Sequence, residues 1–129
     1  LNWSKEIGGL EELIRRSKDN LNTIKNWVAS STWVDFLCED LDNLSNTSIC
    51  LKLIDSKLIS QSLETKNIIE KNIIKLLEEN NVAFDIGSYR SAPPGLRIWG
   101  GPTVENDDIK KLLPWLDWAY HKSLSDLDI

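Results

Sequence analysis

The sequence predicts an α+β domain of two layers: a mainly antiparallel sheet of about four strands, with helices on one face. Three observations predict it. Three stretches carry apolar residues at helical spacing, four short runs are rich in branched and aromatic residues, and the paired strand runs are joined by short links. The resulting order is helix, strand, strand, helix, strand, strand, helix, which favours antiparallel pairing over a doubly wound sheet. At 129 residues, with 41% hydrophobic and 27% charged, the chain is a single domain spanning 1–129. It is large enough to bury a core without disulfides or metal. Residues 1–30 read as a leading helix and 31–129 as the sheet with its helices.

The first helix follows Gly8-Gly9. Leu10, Leu13, Ile14, Leu21, Ile24 and Val28 fall close to a 3.6 period as far as Ala29, and Ser30-Ser31 ends it. Trp33 to Cys38 reads as a short strand, followed by an acidic, Asn-rich loop from Glu39 to Thr47. Ser48 to Ile54 is the second strand, with Ile49, Leu51 and Leu53 on its core side. Asp55 to Leu63 is a polar loop or helix lead-in. The second helix starts near Glu64 on Ile68, Ile69, Ile73, Leu76 and Leu77, and stops at Asn80-Asn81, a residue type that tolerates a left-handed helix end. Val82 to Ile86 and Leu96 to Trp99 supply the third and fourth strands. Asn106 is the expected N-cap of the last helix, with Asp107 and Asp108 in its first turn facing the positive end of its dipole. Ile109, Leu112, Leu113, Leu116 and Tyr120 form its stripe, and Pro114 predicts a kink or a restart.

Composition narrows the function. A net charge of −5 and a pI near 4.9 argue against a nucleic-acid partner, which leaves a basic footprint. No apolar run is long enough for a bilayer, and no signal pattern opens the chain, so neither a membrane partner nor an export route is expected. The start at Leu1 rather than Met points to a segment of a longer polypeptide. Cys38 and Cys50 lie in apolar segments with no CxxC pattern, and His121 is the single histidine, so no zinc site is expected. The two cysteines read as reduced core thiols of a cytoplasmic protein. Trp115 and Trp118, three apart on one helix, read as cover for a core edge or a domain interface. Glu105, Asp107 and Asp108 offer too few ligands for a hard cation, and helix-start chemistry accounts for the two aspartates.

The candidate site is an arginine turn. Arg90 and Arg97 flank Ala92-Pro93-Pro94-Gly95-Leu96, and the run continues Ile98-Trp99-Gly100-Gly101-Pro102. A guanidinium is a planar fork of donors that matches a carboxylate or phosphate through two bonds. Pro93-Pro94 fixes the backbone, and Gly95 admits a backbone conformation closed to other residues. Arg97 lies in an otherwise apolar strand, where a charge is costly without a partner. An internal acid such as Asp85 or Glu105 is one partner; a substrate anion is another.

On these residues the chain resembles the C-terminal domain of phosphoserine aminotransferases, class V enzymes of the fold-type I pyridoxal-phosphate group. Trp3 with Ile7-Gly8-Gly9-Leu10, Trp27-Val28, Trp33 to Leu37 and Ser45 to Leu51 look like the family's connecting helix and first small-domain strands; Tyr89-Arg90 through Trp118 looks like its end. The resemblance implies a small domain whose Arg97 binds the α-carboxylate of the amino- or keto-acid substrate. It implies that Arg90, with a weaker contribution from Tyr89, lies near the substrate phosphate. Tyr89 stands where one branch of the family has a histidine, and the arginine spacing here is one residue longer. The implied cofactor is pyridoxal 5'-phosphate, whose lysine and ring partner the family carries in a larger N-terminal domain, so no cofactor lysine is expected here. The implied partners are that domain, glutamate, a phosphorylated keto acid and a second copy in a homodimer; this segment alone would be inactive. Two other readings remain: a stand-alone anion-binding or interaction module, and the same domain from another class V aminotransferase.

Overall fold

Helix α1 (Leu10–Ser30) follows Gly9, whose φ of 74° is open to glycine and strained for other residues. It buries Ser17, Asn20, Leu21, Ile24 and Val28 on one face, the stripe that the spacing predicts with two polar residues in it. Leu10 and Ile14, expected on that stripe, are 71% and 45% exposed, so the cover begins only at the second turn. The structure, a computed structural model, describes residues 9–37, 48–83, 86–87, 93–101 and 103–129. Cys38, Asp85, Tyr89 and Arg90 lie outside the described residues.

The sheet among the described residues has three strands, β1 (Val34–Phe36), β2 (Ser48–Leu53) and β3 (Gly95–Trp99), in the order β1-β2-β3 and antiparallel throughout. Alternation decides its faces. Val34 and Phe36, Ile49 and Leu51, Leu96 and Ile98 are buried on one side; Asp35, Cys50, Lys52, Arg97 and Trp99 occupy the other. The register sets Phe36 beside Leu51 and Leu51 beside Leu96, and on the opposite face Cys50 beside Arg97.

The fourth strand expected at Val82 to Ile86 is not formed among the described residues. Gly87 makes an isolated bridge to Leu96, and the Ile86 carbonyl accepts the Arg97 N–H at 2.8 Å. Among the described residues, these are the contacts by which that segment borders β3. Cys50 is half-buried on the sheet face away from the core, which corrects its reading as a core thiol: it sits one residue out of phase with Ile49 and Leu51.

After β2 a short 3-10 turn (Ser56–Leu58) is capped by Asp55, whose carboxylate accepts from the Lys57 N–H at 3.0 Å. Helix α2 (Leu63–Glu79) is capped by Ser62, whose hydroxyl accepts from the Thr65 N–H at 3.1 Å, and it buries Ile69, Ile73 and Leu77. It ends as the sequence predicts, with Asn81 in the left-handed region at φ 55°.

Helix α3 (Asn106–Asp126) does not restart at Pro114. Lys110, whose carbonyl loses its partner to the proline, is exposed, and so is Pro114; water can serve that carbonyl. The N-cap is Glu105 rather than Asn106. Asn106 is the first helical residue, and its amide is engaged by α1: it donates to Asn20 Oδ1 at 3.1 Å and to Thr23 Oγ1 at 2.9 Å. The buried residues of the sheet and of all three helices form a single core, with Ile24, Ile69, Ile73, Leu77, Leu96, Leu116 and Tyr120 fully enclosed.

Candidate functional site

Strand β3 mounts Arg97 in the middle of five residues. Its neighbours Leu96 and Ile98 point into the core at 0% and 2% exposure, which turns Arg97 to the other face. Arg97, half-buried, lines a cavity of about 410 Å³ together with Ile86, Trp99, Val104 and Asp108. Val82, Ala83, Ile109 and Leu112 add apolar wall. A cleft that sets a guanidinium and the Asp108 carboxylate among apolar side chains is chemically suited to a small organic acid, whose carboxylate matches the fork. Glu105, one of the internal acids considered for Arg97, is paired with Arg16 at 2.8 Å; Asp85 lies outside the described residues, and Arg97 itself is not without a partner.

Both ends of β3 are tied down. At the start, the Gly95 N–H donates to Glu70 Oε1 of α2 at 3.1 Å. A Cβ on Gly95 would fall 2.0 Å from the Leu51 carbonyl oxygen, so β2 passes too close for any side chain. Gly95 is not among the positive-φ glycines, so close approach, not unusual φ, is why a glycine stands there. At the far end, the Asn20 amide donates to the carbonyls of Gly100 and Gly101, each at 3.2 Å, and of Val104 at 2.9 Å. Tyr89 and Arg90 lie outside the described residues, so Arg97 is the one sequence-predicted site residue that can be placed.

Sequence reasoning missed Asn20 and Glu70. Asn20 had a signal: it falls on the α1 stripe between Ser17 and Ile24, where a polar side chain is buried and must find partners. Glu70 had none, since its partner is a backbone N–H 25 positions away.

Trp115 and Trp118 are 40% and 41% exposed, packed edge to face with centroids 5.5 Å apart, beside Asn80, Lys111 and Pro114. Among the described residues no group of three His, Cys, Asp or Glu side chains could hold a metal ion, and no helix is long and apolar enough to cross a membrane.

A small antiparallel sheet sharing one core with α1, α2 and α3, and carrying an arginine at the middle of its outer strand β3, is the architecture of an aminotransferase C-terminal portion. The phosphoserine aminotransferase from Bacillus circulans subsp. alkalophilus superposes with a TM-score of 0.71 over 94% of this chain and 30% of that one, at 23% identity. A second phosphoserine aminotransferase structure, from a study of radiation damage to its Schiff base, matches over the same shares with a TM-score of 0.71 at 15% identity. In sequence, the chain is 46% identical over 123 residues to the phosphoserine aminotransferase of Methanosarcina barkeri, and 43% identical over 122 residues to that of Methanosarcina mazei. These alignments cover 94% and 93% of this chain, which spans about 30% of the length of each relative. No family model matches. The chain is thus a homologue of the C-terminal portion of phosphoserine aminotransferases, alike in sequence and in fold.

Proposed function

We propose that this chain is the substrate-gripping C-terminal domain of a pyridoxal-phosphate-dependent phosphoserine transaminase. The whole enzyme transfers the amino group of L-glutamate to 3-phosphohydroxypyruvate, giving O-phospho-L-serine and 2-oxoglutarate in serine biosynthesis. The observation that carries this reading is the 46% and 43% identity, over 94% and 93% of this chain, to proteins named phosphoserine aminotransferase. The Arg97 cavity supports it by offering a fork and apolar walls where an amino acid could dock.

Within that reading, Arg97 holds the α-carboxylate and so fixes the reacting carbon, and positioning of this kind is worth up to roughly 7 kcal/mol. Arg90 selects the phosphate of the longer substrate, with Tyr89 as a lesser contact. The cofactor, when bound, supplies the electron sink. In the family that this chain resembles, a larger N-terminal domain carries the residues that hold the cofactor; we assign that role to it here, and this domain works with it in a cytoplasmic homodimer. A free-standing module would cover its own surface, whereas Leu10, Ile59, Leu63 and Trp99 are each at least 60% exposed.

The test is Arg97→Ala in the full-length enzyme, with cofactor absorbance checked to be intact. The kcat/KM is expected to fall by about a hundredfold or more for both substrates, through loss of a pair of charge-assisted hydrogen bonds. A near-normal kcat/KM would remove Arg97 from the site.

A further inference from the structure

Among the described residues between Gly100 and Glu105, Val104 lines the Arg97 cavity, and its own fixing comes from another element. That element is α1. Asn20 is 1% exposed and donates to three carbonyls of the loop, Gly100, Gly101 and Val104. Its two N–H groups thus serve three acceptors, and its own oxygen is held by Asn106 Nδ2 at 3.1 Å. Every polar atom of this buried amide is therefore used, and its orientation is fixed from both ends. The loop in turn borders the wall. A Cβ on Gly101 would meet the Trp99 indole nitrogen at 3.4 Å, an ordinary contact distance, so the 60% exposed ring stands one methyl group away from the loop backbone. Trp99 and Val104 line the same cavity as Arg97.

We propose that Asn20 is a positioning residue for substrate binding, acting through the Trp99 and Val104 wall that faces Arg97. This rests on the reading of Arg97 as the carboxylate-binding residue. The amide is placed to do this and a carboxylate is not: Asp at this position has the same shape, no N–H donors, and a negative charge set against three carbonyl oxygens. The wall would shift away from the loop's present position, and the substrate would lose its fit against Arg97.

The experiment is a double-mutant cycle in the full-length enzyme, with Asn20→Asp, Arg97→Ala and the pair. Asn20→Asp is expected to raise KM for L-glutamate and for 3-phosphohydroxypyruvate about tenfold, while kcat changes less than about twofold. In the Arg97→Ala background the same change is expected to add nothing to KM, a result that general destabilisation would not give. An unchanged KM in Asn20→Asp, or an equal rise in both backgrounds, overturns the proposal. Should Asn20→Asp fail to fold by circular dichroism, Asn106→Ala is the second variant, because it removes the donor that orients the Asn20 amide. It is expected to raise KM about threefold with Arg97 present and not without it; no rise overturns the proposal. If Arg97→Ala itself leaves KM unchanged, the carboxylate site falls and this inference with it. If Arg97→Ala raises KM and Asn20→Asp does not, only the role of Asn20 falls.

Discussion

Trp33 lies flat on Tyr120, ring centroids 4.1 Å apart and planes 6° from parallel, although 87 positions separate them in the sequence. Each ring is also anchored at its polar tip. The Trp33 indole N–H donates to Asp117 Oδ1 at 2.7 Å, and Tyr120 donates to Asp55 Oδ2 at 2.7 Å. Trp27, edge-on to Trp33, donates to the other oxygen of Asp117 at 3.1 Å. One carboxylate on α3, the last helix, thus ties α1 and the entry to β1 to it, and Asp55 ties the end of β2 to the same cluster.

Asp117→Ala should therefore cost about 2–3 kcal/mol in urea unfolding, because the indole N–H of a fully buried Trp33 loses its acceptor. Asp117→Asn keeps an acceptor oxygen and should cost about half as much. Equal losses in the two variants would show that charge, not the hydrogen bond, holds the indoles.

Tyr120 gives a pH dependence with a definite sign. Burial, and then the hydrogen bond and negative charge of Asp55, raise its phenol well above the usual tyrosine range. A raised pKa means that the folded state holds a proton the unfolded state releases. The stabilisation is complete below the unfolded value of about 10 and is lost as pH climbs above it. The stability advantage of the native protein over Tyr120→Phe is expected to hold up to about pH 9 and to shrink ever more steeply from about pH 10 to 11. A constant advantage over that range, followed by urea unfolding, would mean that the phenol ionises as freely folded as unfolded.

Gly95→Ala should be among the most damaging single changes. Its methyl group would meet the Leu51 oxygen at 2.0 Å and the Leu51 carbon at 3.0 Å, both backbone atoms that no rotamer can move. β2 and β3 would have to part at the register that sets Cys50 beside Arg97. A loss of about 3 kcal/mol or more is expected in urea unfolding, the upper end for overpacking. A loss under about 1 kcal/mol would show that the strands part without penalty.

The legible parts of the fold were those decided by local pattern. The α1 and α2 stripes, the alternation of Ile49, Leu51 and Leu53, and the stop at Asn80-Asn81 each follow from residues within a few positions of one another. The illegible parts depend on partners far along the chain. Val82 to Ile86 has strand-like side chains, yet a strand needs a neighbour in register, and among the described residues there the pairing with β3 is an isolated bridge at Gly87. Asn106 has capping chemistry, yet its amide is taken by Asn20 and Thr23, more than 80 positions away. The same division runs through the site. Arg97 was visible as a charge in an apolar strand; the groups that hold its strand, Glu70 and Asn20, are ordinary helix residues until the helices pack.

Arg97→Lys separates the two things a guanidinium can offer. Lysine keeps the positive charge and loses the planar pair of donors, so it can attract a carboxylate without clasping it. In the full-length enzyme we expect kcat/KM to fall roughly tenfold for Arg97→Lys, between the native value and the hundredfold loss for alanine. L-Glutamate and 3-phosphohydroxypyruvate both carry an α-carboxylate, so the two losses should agree within a factor of about three. A loss confined to the phosphorylated substrate would reassign Arg97 to the phosphate, and a lysine variant as active as the native enzyme would show that charge alone is used.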